Sequence, residues 1–127
     1  MQITKHFSID EFIVSSTAIK NHIDNAPTAD IIDNIYYVAY MLELIRKYYT
    51  LPIHITSGYR CRELNQLVGG SPSSAHIQGL AVDIDNGKEE NLRLYYLLLA
   101  FKSLGFPIKT VINENDFSWI HITFNKL

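Results

Sequence analysis

"GLAVDID" occupies residues 79–85, and its alternation decides the fold. Leu80, Val82 and Ile84 fall on one side of an extended chain, with Ala81, Asp83 and Asp85 on the other. Successive side chains along a strand point to opposite faces, so the aliphatic side calls for a covering layer while Asp83 points off the core. The stretch before it, "SSAHIQ" at 73–78, brings His76 up to this strand across Gly79.

The last segment repeats the pattern. In "SWIHITF", residues 118–124, Ile120, Ile122 and Phe124 oppose Trp119, His121 and Thr123. The whole tail "IKTVINENDFSWIHITF", 108–124, reads as two strands joined by a polar turn near Asn113 to Asp116. In "LPIHITSGYR", 51–60, Ile53 and Ile55 alternate with His54 and Thr56, a strand signal that ends at Ser57-Gly58.

Helices fill the rest. "FSIDEF", 7–12, begins one, with Ser8 as N-cap and Glu11 closing a capping box, and the spacing predicts that it runs to about Ser16. "NAPTAD", 25–30, is a loop. Ile31, Ile35, Val38, Leu42 and Ile45 recur at helical spacing and predict a long amphipathic helix from Asp30 to Tyr49. A short helix from Arg62 to Val68 stops at Gly69-Gly70, "GGSPSS" is a loop, and residues 88–104 form a second strong helix. The expected fold is α+β, a small and mostly antiparallel sheet with helices packed on one face, in a single domain spanning 1–127.

Composition narrows the function. With 127 residues, 47% apolar and 19% charged, the chain can bury a substantial core. A net charge of −2 and the lack of a basic run argue against nucleic acid as partner. The most apolar stretch, residues 31–49, is interrupted by Asp33, Asn34 and Glu43, so no membrane span is expected. The N-terminus lacks the flanks of a signal peptide, which implies a chain that is cytoplasmic when made. No helix face looks left over for a partner, and a monomer is expected. The lone Cys61 excludes an internal disulfide and a cysteine-rich zinc site. Flanked by Arg60 and Arg62, it keeps open a thiol-enzyme reading that predicts sensitivity to alkylation.

Any metal must then be held by histidine and carboxylate. His76, Asp83 and His121 sit on or beside strands whose other side is apolar, so all three can reach one surface. Two histidines and one aspartate leave a tetrahedral position open, as in a catalytic zinc site. The same residues also suit a hydrogen-bonded structural group. His6, His22 and His54 belong to no such constellation.

The motifs bear on that choice. Ser74, His76, Gly79, Ala81 and Asp83 resemble the S-x-H-x-x-G-x-A-x-D signature of the zinc D-Ala-D-Ala carboxypeptidase family and its peptidoglycan L-Ala-D-Glu endopeptidase relatives. Ser57, Gly58, Tyr59 and Arg60 with Asn65 resemble the family's S-G-Y-R segment, and "SWIHI" its W-x-H block. The opening "HFSIDEFIVSSTA" is similar to the start of the smaller, single-domain members. The resemblance implies a hedgehog/DD-peptidase-like fold and a zinc ion (Zn2+) held by His76, Asp83 and His121. It also implies hydrolysis of peptide stems of bacterial peptidoglycan, either by removing a terminal D-alanine or by cutting within the stem in the manner of a lysin.

One position departs from the pattern. Many relatives carry an acid three residues before the last histidine, where this chain has Ser118. Glu114, matched with Ile112 to an Ile-x-Glu of the smaller members, is the favoured general base, with Asp116 as the alternative. Arg60 is expected to stabilise the oxyanion or grip a substrate carboxylate. Arg62 and Ser74 are candidates for supporting contacts, and Asp85 for a hydrogen bond to a ligand histidine or a surface role. Trp119 would floor the cleft or cap the core. The missing acid at 118 also keeps open a non-catalytic zinc-binding scaffold, a use the fold has in hedgehog signalling domains. A lysis enzyme of phage or prophage origin, acting on the wall after release, would suit a chain without its own export signal.

Overall fold

The alternating segments pair into one antiparallel sheet in a computed structural model of the chain, which describes residues 1–126. Leu127, the last residue of the expected domain, lies outside them. Four strands, β1 (Ile55–Ser57), β2 (Ala81–Ile84), β3 (Ile108–Glu114) and β4 (Trp119–Phe124), stand in the order β1-β2-β4-β3. The tail forms the β3–β4 hairpin, and β4 lies beside β2 with Asp83 directly opposite His121. That register follows from burial, since a slip of one residue would turn every aliphatic side chain out of the core.

Among the described residues five α-helices accompany the sheet: α1 (Asp10–Ile13), α2 (Ser16–Lys20), α3 (Ala29–Tyr49), α4 (Arg62–Leu67) and α5 (Lys88–Ser103). The fold is α+β, as the alternation and helical spacing imply. Val82, Ile84, Ile120 and Ile122 are buried against Ile35, Val38, Leu42 and Ile45 of α3 and Leu94 and Leu98 of α5. Each such side chain contributes about 1.5–3 kcal/mol on burial. The helix-covered face therefore fixes the sheet, and the opposite face is left for polar groups.

Three expectations need correction. The first helix does not run on to Ser16; it ends at Ile13, and Val14 is extended at ψ 128°. The Phe12 carbonyl accepts the Tyr59 N–H at 2.7 Å, and the Ile13 carbonyl accepts from Asn25 Nδ2 at 2.8 Å. The acceptors that would continue α1 are thus spent on other segments, and Ser15 starts α2 by capping the Ala18 N–H. Only half of the expected capping box forms: Glu11 Oε2 accepts the Ser8 N–H at 2.7 Å, but the helix is capped at Ile9, and the Glu11 N–H goes to the Ser8 carbonyl rather than to its hydroxyl. Second, the strand expected from Leu51 is regular only over Ile55–Ser57, because His54 turns its N–H to the Asn86 side chain. Third, α3 does carry an apolar row in solvent, with Tyr40, Leu44 and Tyr48 exposed. Among the described residues, no helix is long and apolar enough to cross a membrane.

Candidate metal centre

His76 reaches the polar face of the sheet on a short 3-10 turn, Ala75–Gln78, whose N-cap is Ser74. Ser74 Oγ accepts the His76 N–H at 3.2 Å, so the serine of the motif sets the turn rather than facing the cluster. Gly79 closes the turn at φ +72°, and a Cβ there would crowd Ile31 and Ile35. Left-handed backbone and lack of room both demand glycine. The ring of His76 is fixed from behind, with Nδ1 donating to the Gly58 carbonyl at 2.6 Å. Gly58 is equally constrained, since a Cβ would stand 2.6 Å from the Phe12 carbonyl oxygen.

With its proton on Nδ1, His76 presents a bare lone pair at Nε2. That atom is buried and has no hydrogen-bond partner among the described residues. It stands 3.4 Å from Asp83 Oδ1, but both atoms are acceptors, so this proximity is no hydrogen bond. His121 Nδ1 lies 2.9 Å from the same oxygen, and the two rings are 5.1 Å apart. One ligand atom from each of His76, Asp83 and His121 falls within 4.8 Å of the others. Two imidazoles and a carboxylate aimed at one point, with an orphaned buried nitrogen among them, suit a divalent cation of borderline softness such as zinc.

Charge follows the same geometry. Burial would raise the Asp83 pKa, but the hydrogen bond from His121 and the nearness of the His76 ring hold it well below the usual carboxylate range. Asp83 Oδ2 also accepts from Arg60 Nη2 at 3.3 Å. Burial pulls the Arg60 pKa down, and Asp83 opposes it. The guanidinium is further fixed by Ser57 Oγ at 3.2 Å and Asn65 Oδ1 at 3.1 Å. A cavity of about 460 Å³ opens beside Arg60, lined by Val14, Thr17, Thr56, Tyr59 and Leu64 among others.

The hairpin supplies the rest of this face. Ile112 pairs with His121 and Glu114 with Trp119, and cross-strand partners point to the same side. Glu114 therefore lies on the His121 face, one strand repeat of about 7 Å along. Its carboxylate makes no side-chain hydrogen bond among the described residues, and it is half-buried. Asp116 is in the exposed turn and pairs with Lys88 Nζ at 3.0 Å, at the first residue of α5. Trp119 is half-buried on the cluster face and stays outside the hydrophobic core. Ser118 is occupied within the turn, its Oγ donating to the Asn115 carbonyl at 2.7 Å.

Other candidates lie elsewhere. Asp85 Oδ1 accepts from the Gly87 N–H and from Asn91 Nδ2, both at 3.0 Å, which closes the turn into α5. Arg62 lines a separate hollow with Gly70, Pro72 and Ile77. Cys61 Sγ accepts the Leu64 N–H at 3.4 Å and caps α4. The Gly58 carbonyl, which orients His76, carried no signal in the sequence, because a backbone acceptor has no residue type to reveal it.

Comparison with known families gives a match to the family model described as Peptidase M15 over residues 5–123. A comparison with curated proteins finds no match. The chain belongs to Peptidase M15, the zinc D-Ala-D-Ala carboxypeptidase-like family.

Proposed function

We propose that this Peptidase M15 chain hydrolyses the peptide stems of bacterial peptidoglycan with a zinc ion held by His76, Asp83 and His121. The observation that carries the proposal is the buried, unpartnered Nε2 of His76 facing Asp83 Oδ1. An unpaired polar atom in the interior costs free energy, and a cation shared with the carboxylate and His121 removes that cost. When bound, zinc supplies a Lewis acid that polarises the scissile carbonyl and lowers the pKa of water.

The chain's own groups do the rest. Glu114 takes the proton of the attacking water and returns it to the leaving amine. Its place beside Trp119 on the His121 face, and the lack of a side-chain hydrogen bond to it among the described residues, support that role. Arg60 steadies Asp83 and turns its positive charge toward the carbonyl oxygen, where charge develops in the transition state. The cavity beside Arg60 receives the peptide on that side. Asp116 is tied to Lys88, which makes it the weaker base candidate. The scaffold reading rests on Ser118, and Glu114 supplies the missing acid from the neighbouring strand.

Digestion of purified muropeptides, with chelator and with zinc restored, tests the proposal by mass spectrometry. Zinc-dependent loss of a terminal alanine identifies a carboxypeptidase. Zinc-dependent cleavage within the stem identifies an endopeptidase. No zinc-dependent product from any muropeptide contradicts the proposal and favours the scaffold.

A further inference from the structure

Three consecutive residues of the β3–β4 turn, Asn115, Asp116 and Phe117, occupy the left-handed region with φ of 47°, 54° and 63°. Asn and Asp visit that region with some ease, whereas Phe seldom does. Such a run persists where neighbouring contacts over-determine it. Asn113 Oδ1 accepts the Phe117 N–H at 2.6 Å, and the Phe117 ring meets Tyr95 edge-on at 5.6 Å. The Phe117 carbonyl accepts from Asn91 Nδ2 at 2.9 Å.

Asn91 is wholly buried, at 0% exposure. Its Oδ1 accepts the Asn86 N–H at 2.7 Å, and Nδ2 also donates to Asp85 Oδ1 at 3.0 Å. Both its donors and its acceptor are therefore used. One amide links the segment just after Asp83 to the turn just after Glu114. A buried amide is costly to desolvate, and an aliphatic residue would fill the same space in α5 without that cost. What the amide adds is a fixed geometry between two strand ends that both feed the polar face.

We infer that Asn91 is a positioning residue for hydrolysis, holding the strained β3–β4 turn so that Glu114 faces the His76–Asp83–His121 cluster. The inference rests on Glu114 as general base. Asn91 touches neither the cluster nor Glu114 and acts through the turn.

The test compares zinc-loaded wild-type protein with N91A, E114Q and the double variant on purified muropeptides. N91A is expected to lower kcat about ten- to a hundredfold, with KM and zinc stoichiometry unchanged. In the metal-free protein, amide exchange at Phe117 and Ser118 should accelerate. E114Q should cost far less in the N91A background than in wild type, because a misplaced carboxylate has less to lose. A folded N91A with wild-type kcat overturns the inference and leaves Glu114 untouched. Equal costs of E114Q in both backgrounds also overturn it, since they mark a structural role alone. Full activity of E114Q overturns the general-base reading, and the role of Asn91 falls with it. If N91A does not fold, N113A carries the test. Asn113 is exposed and holds the same Phe117 by its N–H, so a severalfold loss of kcat is expected, and an unchanged kcat overturns the inference.

Discussion

Two histidine–carboxylate groups stand among the described residues, and they differ in what they leave unsatisfied. At the surface, Glu43 accepts the His6 N–H at 2.8 Å through Oε1 and contacts the His6 ring at 2.6 Å through Oε2. One residue meets one residue, and both carboxylate oxygens are used by it. On the polar face of the sheet, two rings converge on Asp83, and one of their nitrogens is left buried with no partner among the described residues. The surface pair is also the shorter contact. Distance between a histidine and a carboxylate therefore says little about metal binding; the orphaned lone pair and the second imidazole make the difference.

The strongest way to break this comparison is to remove a ring from each group. H76A should lose stoichiometric zinc and bring muropeptide hydrolysis to the uncatalysed level, whereas H6A should keep both, measured by elemental analysis and mass spectrometry of products. Zinc binding that survives H76A but not H6A would reverse the assignment. Next in size, E114Q should lower kcat by roughly 10²–10⁴ with zinc content unchanged. D116N should change kcat by less than about twofold, as expected when an exposed ion pair is removed.

A smaller effect is expected behind the cluster. In G58A the new Cβ meets the Phe12 carbonyl and moves the oxygen that orients His76. Zinc affinity should fall about 10–100-fold, read by competition with a chelator. An unchanged affinity would show that Nδ1 needs no such support.

The smallest effect belongs to the surface pair. Burial would raise the Glu43 pKa, but the hydrogen bonds from His6 outweigh it and leave the pKa lowered. A depressed carboxylate contributes stability that is present above its unfolded pKa, about 4.3, and is lost as pH falls through the lower folded value. Denaturant titrations should find E43Q less stable than wild type at neutral pH by under about 1 kcal/mol, with the gap closing below pH 4. A gap that widens on acidification would contradict the sign.

Much of this site was legible in the sequence because it is built on strict alternation. Once Val82, Ile84, Ile120 and Ile122 are assigned to the core, Asp83 and His121 have only one face left. The helices α3 and α5 were legible for the same reason, with a period of 3.6 in place of 2. The turn was not. Nothing local marks Phe117 for a left-handed conformation; Asn91, 26 residues earlier, makes the difference. The break after Ile13 depends likewise on the Tyr59 N–H, which competes for a carbonyl that local spacing would assign to the helix. The pairing of His6 with Glu43 was not legible either, since the two lie 37 residues apart.

The most direct measurement follows the ring nitrogens of the five histidines by NMR during a titration with zinc. A single equivalent should shift His76 at Nε2 and His121 at Nδ1, the nitrogens that face Asp83, while His6, His22 and His54 stay in place. Unshifted rings at His76 and His121, or a response centred on His6, would contradict the metal site at its root.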